Sequence, residues 1–402
     1  MATNNRHTYD IALLLESPTT SKAQRVALEA LQKHGTMVKT AAALGMAKRS
    51  LQNLLARCKK AYLADTLDTD VPYGQKLAGS STMYKVDEET GERREVLQWV
   101  KTSVDQEQML EAMQLVTADL AKSVEGKASL CPPPVDNDKD LLVVYVNTDL
   151  HLGQYSWSEE AGNDVNLDTV YSNTLTAMEV LRNTVPSAAE CIVLDLGDTL
   201  HASNDDARTK SGHVLDTDSR HAKVFRTLVD MKINMIKLAL TKHAKVKYSI
   251  VAGNHSDLVA NYIMAMLSAW FKDEPRFSVD TSPALHKYHR HGEVLLGFHH
   301  GHATRIQRLP EVMVWDRKED ISTTTYRYWL TGHVHKDTVL DNPIARCESF
   351  RNHTNNDSWA TGAGYRGHKQ SVAITYHKNF GEIARNVCPI KLTEASSIET
   401  PQ

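Results

Sequence analysis

Five short polar clusters hold the residues of this sequence whose types and spacing suit metal chemistry. They read DLH at 149–151, GD at 197–198, GNH at 253–255, HHGH at 299–302 and GHVH at 332–335. On an extended chain, residues two positions apart point to the same side, so D-x-H and H-x-H can each aim two side chains at one point. A lone histidine at a strand end is more often structural, but five clusters in similar positions indicate a shared site.

Each cluster directly follows an apolar run, and these runs predict buried β-strands. The runs are LLVVYV, CIVLDL, VKYSIV, EVLLGF and YRYWL, and helix-compatible segments separate the first three. Strand alternating with helix is typical of an α/β domain, in which the carboxyl ends of parallel strands meet at one edge of the sheet. The sequence from residue 141 onward therefore predicts an α/β domain with its polar clusters at one edge.

Composition places the chain among ordinary globular proteins. Its 402 residues, 41% hydrophobic and 24% charged, predict two or more structural units. Five scattered cysteines without a C-x-x-C pair are expected to be reduced thiols. We find no signal peptide and no apolar stretch of membrane-spanning length, so we expect a cytoplasmic protein and no membrane partner.

The net charge of −3 conceals an asymmetry between the two ends of the chain. Residues 1–63 contain ten Lys and Arg against three Asp and Glu, so this segment is basic and the remainder is acidic. A basic segment joined to an acidic body is typical of proteins whose basic part meets a polyanion.

Residues 21–63 predict three short helices. Ser21 and Thr36 are candidate N-caps, Gly35 ends the first helix, and Gly45 forms the turn before the third. The predicted apolar faces consist of Val38, Ala41, Ala42 and Leu44 on the second helix and Leu51, Leu54 and Leu55 on the third. The pattern predicts a helix-turn-helix, and the alternative is a packing module with a solvated basic face. The side chains expected to contact DNA are Lys48, Arg49, Gln52 and Asn53.

Changes in pattern divide the chain into three predicted parts. Residues 1–63 form the helix-turn-helix, 64–140 a connecting region, and 141–402 the main domain. Within the connecting region, STMYKVDEETGERREVLQWVKT predicts a hairpin, DQEQMLEAMQLVTADLAKSV an amphipathic helix, and CPPPVDNDKD a linker.

The ordered motifs DLH, GD, GNHS, HGH and GHVH resemble the signature of the calcineurin-like metallophosphoesterase superfamily, over about residues 141–390. The resemblance implies an α/β sandwich of two packed β-sheets flanked by helices, here preceded by a small all-α module. It also implies two metals. The first would be held by Asp149, His151, Asp198 and His335, and the second by Asp198, Asn254, His300 and His333. The basic N-terminal part, with TKSGHVLDTDSR and ITYHKNFGE, is similar to phage and prophage phosphoesterases, and the superfamily includes DNA repair nucleases.

The proposed ligands suit hydrolysis at phosphorus. A carboxylate such as Asp198 can bridge two cations, and two cations against two carboxylates leave a positive surplus suited to a phosphate and a metal-bound hydroxide. Nitrogen and oxygen donors without thiolate favour transition metals, with manganese first and iron, zinc, cobalt or nickel as alternatives. His300 is preferred as a ligand because it precedes Gly301, while His299 and His302 are alternatives.

Other residues complete the predicted site. His255 would protonate the leaving group, and Asp257 is expected to support it because Ser256 stands where the superfamily usually has an acidic residue. Substrate contacts are expected from His201, His213, Arg220 and His302. The alternative for the segment around Arg220 is a solvated loop whose aspartates cap the following helix.

The leading functional prediction is a metal-dependent phosphodiesterase, a nuclease whose partner is DNA, working in the bacterial host cytoplasm if phage-encoded. One alternative keeps the enzyme but gives it small phosphoesters, cyclic nucleotides or phosphoproteins as substrates, with the basic module used for localisation. A second alternative is a DNA-binding regulatory protein whose phosphoesterase site has lapsed. A homo-oligomer is compatible with all three.

Overall fold

The computed structural model describes residues 11–66, 75–86, 93–104, 121–202, 207, 214–254 and 257–398. The chain divides into two compact units, Met1–Leu115 and Val116–Gln402. Each unit has buried apolar clusters of its own.

The first unit contains the three helices predicted within residues 21–63, preceded by one helix that was not predicted. They are α1 (Ile11–Glu16), α2 (Lys22–His34), α3 (Met37–Ala43) and α4 (Lys48–Thr66). Ser21 caps α2 in a capping box with Gln24, and Gly35 ends this helix with a φ of 71°. The Thr36 side chain accepts a hydrogen bond from the backbone N–H of Lys39, so the predicted caps are confirmed.

The predicted buried face of α3 is wrong in part. Val38 is 60% exposed and Ala42 is also exposed, whereas Ala41 is buried. The face that packs consists of Met37, Thr40, Ala41 and Leu44, at the i, i+3, i+4, i+7 spacing of a helix. Thr40 can lie on this face because its hydroxyl donates to the carbonyl oxygen of Thr36.

A hairpin follows, with β1 (Gln75–Val86) antiparallel to β2 (Arg93–Val104), as predicted. The predicted amphipathic helix covers residues 105–124, of which 105–120 lie outside the described part and 121–124 are helical. The predicted linker is anchored at Cys131, whose N–H donates to Glu274 and whose carbonyl oxygen accepts from Arg276. Its last residues already belong to β3, and the three-part division of the chain stays a prediction.

The second unit contains two β-sheets. In the first sheet the strand order is β13-β12-β3-β4-β5-β6, with β3 to β6 parallel, and in the second it is β10-β11-β9-β8-β7, with β8, β9 and β11 parallel. The strands are β3 (Asp138–Asn147), β4 (Ala188–Asp195), β5 (Lys245–Ile250), β6 (Phe277–Val279), β7 (Lys287–His291), β8 (Val294–His299), β9 (Tyr326–Thr331), β10 (Thr338–Leu340), β11 (Arg346–Ser349), β12 (Gln370–His377) and β13 (Gly381–Pro389).

Helices flank both sheets. They are α5 (Ser158–Ala161), α6 (Leu167–Thr184), α7 (His221–Leu240), α8 (Asp257–Trp270), α9 (Leu309–Asp316), α10 (Lys318–Thr323), α11 (Ser358–Gly362) and α12 (Ile390–Ile398), with a 3-10 turn at Ile306–Arg308. Every helix within the described ranges is too short or too polar to cross a bilayer.

The strand period of two builds the layers of this unit. Leu142 and Val144 of β3 pack into an apolar cluster with Phe298 and Leu330 of the second sheet. Their neighbour Val143 packs instead with residues of α6 and α7. Two packed sheets flanked by helices confirm the predicted fold class.

Parallel strands bring the polar clusters to one edge. The loops after β3 and β4 are joined because Asp149 N–H donates to Gly197 O at 3.1 Å and His151 N–H donates to Asp198 O at 3.0 Å. In the second sheet, Gly332 N–H donates to His300 O at 2.9 Å and joins the loops after β8 and β9.

A buried ion pair supports the loop after β4. Lys232 of α7 and Asp195, the last residue of β4, are 2.6 Å apart with side chains 0% and 1% exposed. Asp195 also accepts hydrogen bonds from the hydroxyls of Tyr248 and Thr199. Lys232 was missed as a core residue, although its position four residues from both Leu228 and Ile236 places it on the apolar face of the helix.

Replacing Lys232 with methionine is expected to lower the free energy of unfolding by about 3 to 5 kcal/mol, because Asp195 would remain as an uncompensated buried charge. Urea denaturation measures the change. The matched control is Lys272→Met, since Lys272 and its partner Glu125 are exposed and water screens their attraction, so stability should not change. Wild-type stability of Lys232→Met would contradict the prediction.

Candidate metal centre

Three side chains form the first ligand cluster. Ligand atoms of Asp149, His151 and His335 all lie within 4.8 Å of one another. His335 Nε2 is 3.2 Å from Asp149 Oδ1 and 3.4 Å from His151 Nε2. Two members follow β3 and the third follows β9, so the cluster joins the two sheets.

The second cluster contains Asp198, His300 and His333, whose ligand atoms also lie within 4.8 Å of one another. His300 Nε2 is 3.0 Å from Asp198 Oδ2 and 3.1 Å from the amide oxygen of Asn254. The four residues follow β4, β5, β8 and β9, and they match the predicted second set. The bridging role of Asp198 stays a prediction.

The Asp149 carboxylate connects the clusters. It accepts hydrogen bonds from the backbone N–H of His333, at 3.1 and 2.9 Å, and from the hydroxyl of Thr148. Burial raises the pKa of Asp149, but the hydrogen bond and positive charge of His335 outweigh burial and lower the pKa to about 2. This carboxylate is therefore ionised and oriented at neutral pH.

The orientation of the His300 ring is fixed by a hydrogen bond from Nδ1, the nitrogen that does not face Asp198. Nδ1 donates to the carbonyl oxygen of Leu196 at 2.7 Å, so Nε2 is the nitrogen directed toward Asp198 and Asn254. Burial lowers the pKa of His300, but the hydrogen bond from its ring to Asp198 outweighs burial and raises the pKa to about 9. The pKa of His333 is lowered by partial desolvation of its ring against the cluster and by the charge of His300.

The backbone of the predicted ligands is unusual. In the described part of the chain, seven non-glycine residues have a positive φ, and five of them are predicted ligands. Such conformations cost about 1 to 3 kcal/mol each and persist where the surrounding structure enforces them, often at functional sites. The five are Asp149, His151, Asp198, His333 and His335.

Both clusters fit divalent transition metals. Imidazole nitrogens and carboxylate oxygens converge, and three of the histidines contact a carboxylate or another histidine, an arrangement that suits cations. Asp149, His151, Asp198 and His300 are buried, while His335 is half-buried and His333 is exposed. The centre therefore opens to solvent on the side of the GHVH turn.

The predicted substrate residues lie at different depths around this centre. His201 is buried, and its Nδ1 is 3.5 Å from Nδ1 of His151, so it packs behind a ligand. His302 is exposed, with its ring centroid 5.2 Å from that of His300. Arg220 is exposed and lines a cavity of about 370 Å³ together with Leu152, the residue after His151.

The predicted loop caps differ from the structure. Asp218 accepts a hydrogen bond from Leu167 N–H at 2.7 Å and so caps α6, not the following helix α7. The N-cap residue of α7 is Arg220, which makes no side-chain capping bond. The prediction chose the helix next in sequence, but Asp218 lies beside the start of α6, 51 positions earlier in the chain.

Some predicted site residues lie outside the described part. These are His255, Ser256 and His213, and for Asp257 the structure gives only its position as the first residue of α8. The general acid and its support therefore stay predictions.

The residues predicted to contact DNA lie on the first turns of α4. Lys48, Arg49 and Asn53 are exposed and Gln52 is half-buried, whereas Leu51 and Leu55 of the same helix are buried. This placement leaves the polar side chains free of the helix core.

Two residues near the centre were not predicted. Thr148 donates to Asp149, and buried Lys369 donates from Nζ to Asn352 Oδ1 at 2.9 Å. Burial lowers the pKa of Lys369 to about 8, and the negative charge of Asp149 opposes that shift. The available sequence signal for Lys369 was a lysine directly before the first residue of β12.

Replacing either histidine of the GHVH turn is expected to weaken metal binding in its own cluster more than in the other cluster. His335→Ala removes the partner of Asp149 and His151, whereas His333→Ala removes a member of the Asp198 cluster. Elemental analysis after dialysis should find about half of the wild-type metal in each variant and almost none in the double variant. The control is His377→Ala, because His377 is the last residue of β12 and is not a predicted ligand. Full metal occupancy of the double variant would contradict the assignment.

No protein-family model matches the sequence, and comparison with curated proteins gives no match. Similar solved structures include a predicted phosphoesterase from Streptococcus pneumoniae, with 9% identity, a TM-score of 0.26, and 63% of this chain and 99% of that one covered. Zinc-bound Vps29 from Entamoeba histolytica has 12% identity, a TM-score of 0.27 and coverages of 62% and 99%. An archaeal phosphodiesterase has 11% identity, a TM-score of 0.31 and coverages of 61% and 99%.

Similarity of this size carries no conclusion about activity. Two packed sheets with polar motifs at their strand ends are the architecture that the resemblance implied.

Proposed function

We propose that the chain is a metal-dependent phosphodiesterase of the calcineurin-like type, and that its substrate is DNA. The observation that carries the first part is the convergence of two ligand clusters, from five strand ends, at one edge of the sandwich. A purely structural role would not explain why these histidines surround two carboxylates. It would also not explain the positive φ of five predicted ligands, which costs conformational energy.

Two divalent ions held by these residues would act as Lewis acids on the phosphoester and on the attacking water. The protein residues set up this chemistry. Asp149 stays ionised and is aimed by the N–H of His333 and by Thr148, and the His300 ring is oriented by its Nδ1 hydrogen bond to Leu196. The exposed side of the centre, at His333, is the side from which a phosphoester would enter.

His255 is the proposed general acid. It follows Asn254, whose amide oxygen lies beside His300, so a leaving group bound near this cluster would come within its reach. Asp257 is proposed to support its charge from the start of α8.

The N-terminal helices support DNA as the substrate. A basic segment with helices α3 and α4, joined by a turn at Gly45, presents Lys48, Arg49 and Asn53 to solvent. We propose that this helix-turn-helix binds the DNA backbone and major groove, and that the tether raises the concentration of DNA at the metal centre.

A substrate panel tests the proposal. Purified protein would be assayed with Mn, Zn, Fe, Co and Ni against a chromogenic monoester and diester, cyclic nucleotides, and single- and double-stranded DNA. Asp198→Ala, purified in parallel, controls for contaminating nuclease. We expect Mn-dependent cleavage of the diester and of DNA.

Hydrolysis of the small diester without cleavage of either form of DNA would overturn DNA as the substrate and leave small phosphoesters as the alternative. If wild-type protein neither binds metal nor hydrolyses any ester, the enzymatic proposal fails and only a DNA-binding role remains.

A further inference from the structure

Exposed aromatic side chains gather on two segments beside the metal centre. Of the six exposed aromatic residues in the described part of the chain, four lie on residues 155–157 and 359–365. Burying an aromatic ring is favourable, so such a concentration at the surface indicates a binding surface. The four, which we call the aromatic rim, are Tyr155 (46% exposed), Trp157 (51%), Trp359 (71%) and Tyr365 (52%).

The first segment continues from a ligand. Tyr155 is four residues after His151. Along residues 154–157, Gln154 and Ser156 are buried, whereas Tyr155 and Trp157 are exposed. This alternation is that of an extended strand, in which successive side chains take opposite faces.

Residues on both sides of the second segment lie close to the ligand loops. The Thr354 hydroxyl donates to the carbonyl oxygen of Leu150, the residue between the ligands Asp149 and His151. A Cβ placed on Gly367 would lie 4.0 Å from the carbonyl oxygen of His335. Tyr365 is two residues from Gly367, so their Cα atoms are within about 7 Å.

The two segments also contact each other. Gln154 donates to Asn355 O at 2.9 Å, Asn163 donates to Asn356 O at 3.2 Å, and helices α5 and α11 are in contact. The two segments therefore lie side by side, next to the loop that carries Asp149 and His151.

Within the rim, Trp359 and Tyr365 form a ready-made stack. Their ring centroids are 6.1 Å apart at an interplanar angle of 30°. The backbone that carries them is held because Arg366 donates to the carbonyl oxygens of Thr361 and Tyr365, and Asn356 donates to Tyr365 O. Two exposed rings on a hydrogen-bonded loop offer flat faces without a large ordering cost.

We propose that the aromatic rim stacks unpaired nucleobases of a nucleic-acid strand whose phosphodiester lies at the metal centre, which makes single-stranded DNA the preferred substrate. The proposal rests on the proposed function and names its substrate class. A base in a duplex is covered on both faces by its neighbours, so only an unpaired strand can present bases to Trp359 and Tyr365.

Stacking, not charge, carries this interaction. Arg366 and His368 are exposed near the stack, but α5 places exposed Glu159 and Glu160 two and three residues after Trp157. Mixed charge gives the backbone no strong attraction to the rim itself. The strand would therefore bind through its phosphate at the metals and through its bases at the rings.

The experiment compares wild type, Trp359→Ala, Tyr365→Ala and the double variant on three probes with Mn. The probes are a chromogenic diester without a base, a thymidine oligonucleotide, and the same strand with abasic sites. We expect kcat/KM on the thymidine strand to fall about 10-fold for each ring and about 100-fold for both. The diester and the abasic strand should be cleaved as by wild type.

Trp315→Ala is the matched control, because Trp315 is 74% exposed but lies on α9, outside the rim, with Lys318 Nζ 4.3 Å from its ring centroid. Anisotropy of a labelled thymidine strand with chelator-treated protein gives a second readout that does not need cleavage. The double variant should bind at least about 10-fold more weakly in this assay.

Equal binding and cleavage of the thymidine strand by wild type and double variant would overturn the rim proposal while leaving the proposed function intact. An equal loss on the abasic strand would also overturn it, because the rings would then not act on bases. If wild type hydrolyses the diester but no strand, the DNA proposal fails, and the binding assay still decides the role of the rim.

Discussion

Asp198→Ala is expected to lower phosphodiester hydrolysis by more than about 100-fold, the upper end of the loss seen when only an outer partner of a metal ligand is removed. Asp198 is buried and is the only carboxylate of its cluster, with Oδ2 3.0 Å from His300 Nε2. Without this charge, His300 and His333 would have to bind a cation with neutral donors alone. Bound metal should fall by at least half, and by more if Asp198 bridges both ions.

Asp230→Ala is the matched control, since Asp230 is an exposed carboxylate on α7 that binds Tyr171 and Asn234. Activity is measured on the chromogenic diester at saturating Mn, and metal by elemental analysis. Asp198→Ala with wild-type turnover would contradict the two-cluster mechanism, whereas loss of activity in Asp230→Ala as well would indicate a general folding defect.

Gly253→Ala and Gly332→Ala are expected to abolish metal binding although neither glycine is a ligand. A Cβ on Gly253 would lie 2.1 Å from Asp198 Oδ1 and 2.3 Å from the backbone nitrogen of Asp198. A Cβ on Gly332 would lie 2.0 Å from the hydroxyl oxygen of Thr148. These distances are far inside van der Waals contact, so the ligand loops must move.

Overpacking of this kind costs about 1 to 3 kcal/mol of stability, and a displaced ligand loop adds loss of metal. Urea denaturation and elemental analysis measure both effects. Gly362→Ala is the control, because a Cβ there meets no atom within 4 Å and stability should hold. A Gly253→Ala protein with full metal content would show that the clusters do not need the close approach of these loops.

Much of the candidate centre could be predicted because its predicted ligands lie directly after the ends of strands. Apolar runs such as LLVVYV predict parallel strands, and topology then places Asp149, Asp198 and His300 at one edge without any distance being known. Helix ends were predictable for a similar local reason, since Ser21, Gly35 and Thr36 act on their own neighbours in sequence.

Other features depend on contacts between distant segments, which the local pattern does not contain. Asp218 caps α6 from 51 positions away, and Lys232 is buried because Asp195 reaches it from β4. The local pattern did not single out Trp359 and Tyr365, whose exposure became apparent only in the structure.

The left-handed backbone of the five ligands has a consequence for selection. Glycine adopts a positive φ without the steric cost that aspartate and histidine bear, so glycine at these positions would relieve strain in the metal-free chain. Variants selected for thermal stability in the presence of a chelator should therefore accumulate glycine at positions 149, 151, 198, 333 and 335, while selection for activity should remove it. Selection for metal-free stability and selection for activity would therefore favour different residues at the same five positions.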